Sequence, residues 1–334
     1  MNTTTTTNNT KTNPSFVALE KICLSLFYVF VEVFNGIRKN TLNWLGVNFD
    51  EGPYYQSSRE KIYLKYIDKL VNDGKAYYCF CTHNDLEDMR AMQVKSHLPT
   101  GYDGRCSKLS KKEIEGKISQ NLPYVVRLKI PPEKLIFNDL IKGTVEFDGK
   151  LIHDIIILRS DGTPTYNLAV VVDDHEMNIT HVIRGEDHVS NTPKQIAIYK
   201  ALGIQPPIFA HIPLIIGADR SKLSKRHCDT AIEDYQKKGF LPEALVNYFS
   251  LLGYSHDSKD EITSLVNIAR EFSFDSISKS PSMFDQKKLF WMNNQYIRML
   301  TNEELCEKAK PYFENIPLEE EKIKKLKEIE NIKN

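Results

Sequence analysis

The sequence predicts an α/β fold. Three observations carry that expectation. Between Ile179 and Gly217 an apolar run, a helix-patterned run and a second apolar run follow one another, which is the strand–helix–strand order of a parallel sheet. Residues 76–165 read mainly as β. Beyond residue 230 the pattern is helical.

Taken in order, residues 2–13 are almost all Thr and Asn and cannot bury a core. The apolar stretch from Ile22 to Phe34 contains Glu32. It is shorter than the ~20 apolar residues of a membrane span, and it lacks the basic start and small-residue cleavage site of a signal peptide. It reads as a buried helix of a cytoplasmic chain without a membrane partner. "SREKIYLKYIDKLVNDG" predicts a helix with Ile62, Tyr66, Ile67 and Leu70 on one side, stopped by Gly74. A strand follows over Ala76–Phe80, and residues 82–120 are charged, helical with loops. "YVVRLKI" alternates as a strand does. "GTVEF" and "LIHDIIIL" flank "DGK", which predicts a hairpin.

"TPTYNLAVVVDDH" reads as a helix and "ITHVIRG" as a strand. "NTPKQIAIYKALG" is a helix in which Thr192 caps, Pro193 fits the first turn, Gln195 completes a capping box and Gly203 ends the element. "HIPLIIG" is a further strand. It delivers the chain to "RSKLSKRH", at the carboxyl end of a strand where α/β sheets bind ligands. "LPEALVNYFSLLGY" and "MFDQKKLFWMNNQYIRML" are helical, and so is the charged tail with Ile323, Leu326, Ile329 and Ile332.

Lys plus Arg and Asp plus Glu both total 44, so any nucleic-acid binding must come from local clusters rather than a general field. The turn with Arg220, Lys222, Lys225 and Arg226 is one such cluster. Lysine suits a phosphate chain whose charge shifts during reaction. No GxxxxGK[ST] run is present, so the turn is not a Walker loop. Solvated surface, a localisation signal and a generic RNA contact are its other readings. The six cysteines, Cys23, Cys79, Cys81, Cys106, Cys228 and Cys306, are sparse and uneven. That points to reduced thiols or a metal site rather than a disulfide framework.

"KLSKR" resembles the KMSKS-type signature of class I aminoacyl-tRNA synthetases. "PTYNLAVVVDDHEMNITHVIRGEDHVSNTPKQIAIYKALG" resembles the glutamyl-tRNA synthetase family along its whole length. So do "DEGPYYQSSR", "GKAYYCFC", "GYDGRC", "FLPEALVNYFSLLGYS" and "FDQKKLFWMNNQYIR", and the resemblance covers roughly residues 37–300.

The resemblance implies a Rossmann-type class I catalytic domain with an inserted acceptor-binding α+β domain and a helical stem-contact domain. On it, residues 1–34 are a divergent N-terminal segment, 35–75 a remnant of the first Rossmann half and 76–165 the inserted acceptor-arm domain. Residues 166–230 are then the second Rossmann half with the KLSKR loop, and 231–334 the helical stem-contact region. The implied activity is ATP-dependent conversion of L-glutamate to glutamyl-adenylate and its transfer to the 3′ end of tRNA-Glu by a monomer, with Mg²⁺ accompanying ATP.

Lys225 would touch the ATP phosphates and Lys222 support them. Leu223, Ser224 and Arg226 complete the loop, and Asp187 and Ile215 would contact adenosine. Arg184 would grip the glutamate carboxylate with Tyr166 lining that pocket; the alternatives are a surface ion pair of Arg184 with Glu186 or Asp187, and a plain core tyrosine. The cluster Asp173, Asp174, His175, Glu186, Asp187 and His188 reads either as hard ligands for Mg²⁺ or as hydrogen-bonded structural groups.

Some relatives bind zinc through a CxC pair, a later Cys and a fourth ligand, and the matching positions here are Cys79, Cys81 and Cys106. Lys108 stands where a fourth ligand is usual, and Tyr102 resembles the tyrosine ligand of glutamyl-Q synthetase. Three buried or free thiols are the alternative. The sequence departs from the family in having no His-Ile-Gly-His-type run, no early "RIEDTD"-like segment and no anticodon-binding domain, as a product truncated at both ends would. A catalytically inactive fragment that at most binds the tRNA acceptor stem or a nucleotide is therefore the alternative function. A glutamyl-Q-type modifying enzyme is a third, against which residues 239–298 speak.

Overall fold

A computed structural model describes residues 37–47, 54–223, 231–254 and 261–312. The chain divides into two compact units: Pro53–His211, and Met1–Gly52 together with Ile212–Asn334. The first described helix, α1 (Ile37–Trp44), belongs to the second of these.

The unit Pro53–His211 opens with α2 (Glu60–Asn72), which buries Tyr63, Ile67 and Leu70. That is the i, i+4, i+7 face of a helix, with Tyr66 at its partly buried margin. Gly74 follows at φ 67°, a left-handed geometry that costs glycine little. Strand β1 (Ala76–Cys79) leads into α3 (His83–Lys95), and α4 (Lys111–Ser119) follows. Reciprocal capping boxes, Thr82 with Asp85 and Ser110 with Glu113, start these two short helices.

Four strands come next: β2 (Val125–Leu128), β3 (Lys134–Asp139), β4 (Gly143–Asp148) and β5 (Ile155–Leu158). Strands β1, β2 and β5 form an antiparallel sheet in that order. The hairpin predicted across "DGK" does not form, because β4 pairs with β3 and β5 pairs with β2. The observed hairpin turns at residues 140–142, where the Asp139 carboxylate accepts the Ile141 and Lys142 amides at 3.0 and 2.9 Å. Gly149 has a different task from the one its turn context suggested. A Cβ there would lie 2.1 Å from the Pro131 carbonyl oxygen, so glycine permits close backbone approach.

Helix α5 (Tyr166–Glu176), strand β6 (His181–Gly185), helix α6 (Thr192–Leu202) and strand β7 (Ile208–Ile212) then give the expected helix and strand–helix–strand order. The second sheet runs β4–β3–β7–β6, with β3 parallel to β7 at Asp139 and Phe209. Its apolar residues and those of the first sheet share one core with α2, α5 and α6, in which Leu70, Leu128, Ile157, Leu168, Val172 and Ile198 are fully buried. Gly203, at φ 71°, ends α6 as expected. The start of α6 differs. Asn191 occupies the cap position without capping the helix amides, its side chain turning to His188, and Thr192 and Gln195 point to Arg184 instead. The buried guanidinium needs these acceptors, whereas the amides of Thr192 and Gln195 already donate to the Val189 and Asn191 carbonyls at 3.2 and 3.1 Å.

In the other unit "HIPLIIG" is interrupted by Pro213, so β7 ends at Ile212 and β8 is Ile215–Ile216. The helices are α7 (Ile232–Lys237), α8 (Pro242–Leu251), α9 (Leu265–Glu271), α10 (Gln286–Met299) and α11 (Asn302–Ala309). Strand β9 (Ser282–Met283) pairs in parallel with β8. Leu42, Tyr235, Leu245, Tyr248, Leu289 and Met292 bury one core between α1, α7, α8 and α10. The Ile22–Phe34 stretch and the tail from Ile323 lie outside the described residues. Among the described residues no helix is long and apolar enough to cross a membrane.

Candidate functional site

Strand β6 ends at Arg184–Gly185, and Arg184 is 4 % exposed. That excludes the surface ion pair with Glu186 or Asp187; Glu186 pairs with Lys142 instead. Each buried polar hydrogen of Arg184 needs an acceptor. Its Nε donates to His211 Nε2 at 3.1 Å, and its Nη2 donates to Thr192 Oγ1 at 2.7 Å and Gln195 Oε1 at 2.8 Å. The guanidinium also lies 5.7 Å from the Phe209 ring centroid, within cation–π range. Burial pushes the Arg184 pKa down, and nearby Tyr166 and Asp174 act against that shift.

Tyr166, the first residue of α5, is half-buried beside the His188 ring at 6.3 Å. Tyr166 also acts on the Arg184 guanidinium through hydrogen bonding and charge, so the structure brings the two together. Asp187 is exposed, one turn beyond. Gly185 leaves the space its carboxylate uses, since a Cβ there would lie 2.6 Å from Asp187 Oδ1.

Sequence reasoning missed the groups behind Arg184. His211 Nδ1 meets Asp139 Oδ2 at 2.6 Å, and both side chains are fully buried. Burial works to raise the Asp139 pKa. Hydrogen bonds from His211 and from the amides of Ile141, Lys142 and His211 outweigh it and hold the carboxyl below its usual range. Asp139 and His211 are 72 positions apart, and no local pattern links them.

The acidic cluster does not converge. Asp173 accepts from Arg59 Nε at 2.7 Å, Tyr63 Oη at 2.8 Å and Gln56 Nε2 at 2.8 Å. Asp174 accepts from Tyr199 Oη at 3.0 Å. His175 turns to the Tyr66 ring. Among the described residues, the His, Cys, Asp and Glu donors that do converge in a group of three are Cys79, Cys81 and Cys106, their sulfurs within 4.8 Å of one another.

Strand β1 supplies Cys79, the loop after it Cys81, and the turn after Gly104 Cys106. Tyr102 Oη lies 3.3 Å from Cys79 Sγ and accepts the Cys106 amide at 3.1 Å. The Arg127 guanidinium stacks 3.9 Å above the Tyr102 ring. Hydrogen bonding with Cys106 draws the Cys79 thiol down, while Cys79 and burial push Cys106 up. Three thiol donors and a phenolic oxygen around one point fit a tetrahedral, sulfur-preferring ion.

In the other unit, residues 215–223 fold as a tight hairpin. Leu223 N donates to Ile215 O at 3.0 Å, Gly217 N donates to Ser221 O at 2.9 Å, and Ile216 bridges Lys222. Arg220 takes φ 63° at the bend. Ile215 and Leu223 pack onto the helical core and Lys222 is exposed. Ser224, Lys225 and Arg226 lie outside the described residues.

Comparison with known proteins gives a consistent answer. The family of class I tRNA synthetases (E and Q), catalytic domain, matches residues 31–291. Glutamate–tRNA ligase 1 of Caldanaerobacter subterraneus is 47% identical over 274 residues, covering 82% of this chain and 57% of that protein. Glutamate–tRNA ligase of Coprothermobacter proteolyticus is 53% identical over 224 residues, covering 66% of this chain and 48% of that protein. Among solved structures, a glutamate tRNA ligase from Elizabethkingia meningosepticum in complex with its amino acid superposes with a TM-score of 0.77 at 31% identity, covering 86% of this chain and 64% of that one. The chain spans a little over half the length of the first of these ligases.

Proposed function

Because the chain belongs to the class I tRNA synthetase (E and Q) catalytic-domain family and has its Rossmann-type fold with an inserted sheet and a helical region, we propose that it activates L-glutamate with ATP and transfers it to the 3′ end of tRNA-Glu. The observation that carries the substrate assignment is the buried, pre-oriented Arg184 beside Tyr166. Tyr166 interacts with the same guanidinium, so Arg184 and Tyr166 together would meet a glutamate carboxylate, with Nη1 the nitrogen not given to His211, Thr192 or Gln195. Tyr166 would line the same pocket, and Asp187 and Ile215 would contact adenosine.

The loop from Lys222 to Arg226, through Leu223 and Ser224, would face the ATP phosphates. Lys225 would stabilise charge developing on the α-phosphate and the departing pyrophosphate, with Lys222 in support. Mg²⁺ would accompany ATP. Cys79, Cys81, Cys106 and Tyr102 would hold a structural zinc ion, whose chemistry is to crosslink β1 to the loop that precedes α4. The inserted sheet would receive the acceptor arm of tRNA, and the site would operate in a cytoplasmic monomer.

The test is transfer of radiolabelled L-glutamate to tRNA-Glu by the purified chain with ATP and Mg²⁺. ATP-dependent acylation supports the reading. A second reading, a catalytically inactive acceptor-stem binder, is favoured by the lack of a His-Ile-Gly-His-type run in the sequence. Salt-dependent tRNA binding without acylation selects it.

A further inference from the structure

We propose that Asp139 and His211 are positioning residues that lock the Arg184 guanidinium in the orientation in which it recognises a substrate carboxylate. The proposal rests on the reading of Arg184 given above.

Donor chemistry fixes the protons. A guanidinium only donates, so His211 Nε2, 3.1 Å from Arg184 Nε, carries no hydrogen. The ring hydrogen therefore sits on Nδ1 and is donated to Asp139 Oδ2 at 2.6 Å. Asp139 is itself immobile, because its Oδ1 accepts the amides of Ile141 at 3.0 Å and Lys142 at 2.9 Å, and Oδ2 also accepts the His211 amide at 3.1 Å. The imidazole packs beside Phe137 and Phe209, each with its ring centroid 6.1 Å away, the two phenyl rings themselves 5.7 Å apart and Phe209 near-parallel to the imidazole at 15°. Asp139, His211 and Arg184 thus stand on β3, β7 and β6, neighbouring strands of one sheet.

The consequence is directional. With Nε held by His211 and both Nη2 hydrogens held by Thr192 and Gln195, the guanidinium plane has one orientation. Three weakly held donors would let Arg184 rotate and lose alignment with an incoming carboxylate. An Asp139→Asn change keeps size and packing, but its amide presents hydrogens toward Nδ1. The imidazole then shifts its hydrogen to Nε2 and confronts Arg184 Nε with another donor.

The experiment uses the full chain, with Asp139→Asn and His211→Gln, and has three readouts. Calorimetry gives separate dissociation constants for L-glutamate and for ATP. Nitrogen-15 NMR gives the His211 tautomer, and thermal melting reports the fold. The expected result is Nδ1–H in the wild type and Nε2–H in Asp139→Asn, glutamate affinity lower by on the order of tenfold or more, and ATP affinity unchanged. His211→Gln, whose carbonyl can still accept from Arg184, should lose less than Asp139→Asn. If Asp139→Asn does not fold, glutamate and ATP affinities of His211→Gln decide, with glutamate binding weakened alone. A folded variant that binds glutamate as the wild type does, or a wild type with Nε2–H, overturns the proposal. A wild type that binds no L-glutamate overturns the reading of Arg184 and the recognition role with it, while the tautomer still reports the Asp139–His211 geometry.

Discussion

Gln195 Oε1 accepts a hydrogen bond from Arg184 Nη2 at 2.8 Å inside the core, where Gln195 is 2 % exposed. Gln195→Leu should therefore destabilise the fold by about 2 kcal/mol, because it leaves a buried charged donor without its acceptor. The same change in an Arg184→Met background should cost much less. Urea unfolding of the two single variants and the double variant checks this, with a coupling energy of about 1 kcal/mol or more expected. Independent costs would return Gln195 to an ordinary helix-start role.

The Asp139 carboxyl titrates below its ordinary value because of its amide and imidazole donors. A depressed folded-state pKa means that the unfolded chain binds more protons in acid. The stabilisation is present above pH ~4 and is lost as pH falls through the folded-state value. Unfolding free energy measured across that range should drop more steeply in the wild type than in Asp139→Asn. Parallel curves would remove Asp139 from the acid response.

Gly149 and Gly143 are glycines for different reasons. Gly149→Ala would press a methyl carbon to within 2.4 Å of two main-chain oxygens, Pro131 O and Glu133 O, and should cost about 1–3 kcal/mol or more. Gly143 has open space and φ 78°, so Gly143→Ala carries backbone strain alone, about 1 kcal/mol. Chemical denaturation of both variants checks the order.

The thiol cluster should bind zinc at one ion per chain. Chelation should lower the melting temperature, and Cys106→Ser should abolish stoichiometric binding. Tyr102→Phe should weaken the site without abolishing it, since three sulfurs remain. Metal analysis, a chelator competition and thermal melting with and without chelator read these outcomes. A chain that purifies without metal and gains none on titration leaves three structural thiols.

Much of this fold is legible in the sequence, because its elements follow local rules. The apolar spacing of Ile62, Tyr66, Ile67 and Leu70 predicts α2, although Tyr63 is the residue buried with Ile67 and Leu70 while Ile62 and Tyr66 lie at the margin, and Gly203 ends α6. The family signature is legible for the same reason, since it sits in long contiguous runs. Tertiary choices are not. "DGK" has good turn chemistry, yet β4 finds β3 and β5 finds β2, because partner choice depends on what buries Leu135, Phe137 and Ile157. Thr192 and Gln195 match a capping box in sequence and serve Arg184 in space. Cys79, Cys81 and Cys106 could be singled out because a CxC pair is a local sign. The Asp139–His211 contact has no such sign, being made by parallel pairing of distant strands.

Glutamate-dependent exchange of pyrophosphate into ATP, measured with tRNA-Glu present on the wild type and on Arg184→Gln, tests the central assignment most directly. Exchange in the wild type that Arg184→Gln reduces by on the order of a hundredfold, with the variant still folded, is the expected result. Equal exchange in the two proteins, or none in the wild type, would contradict it.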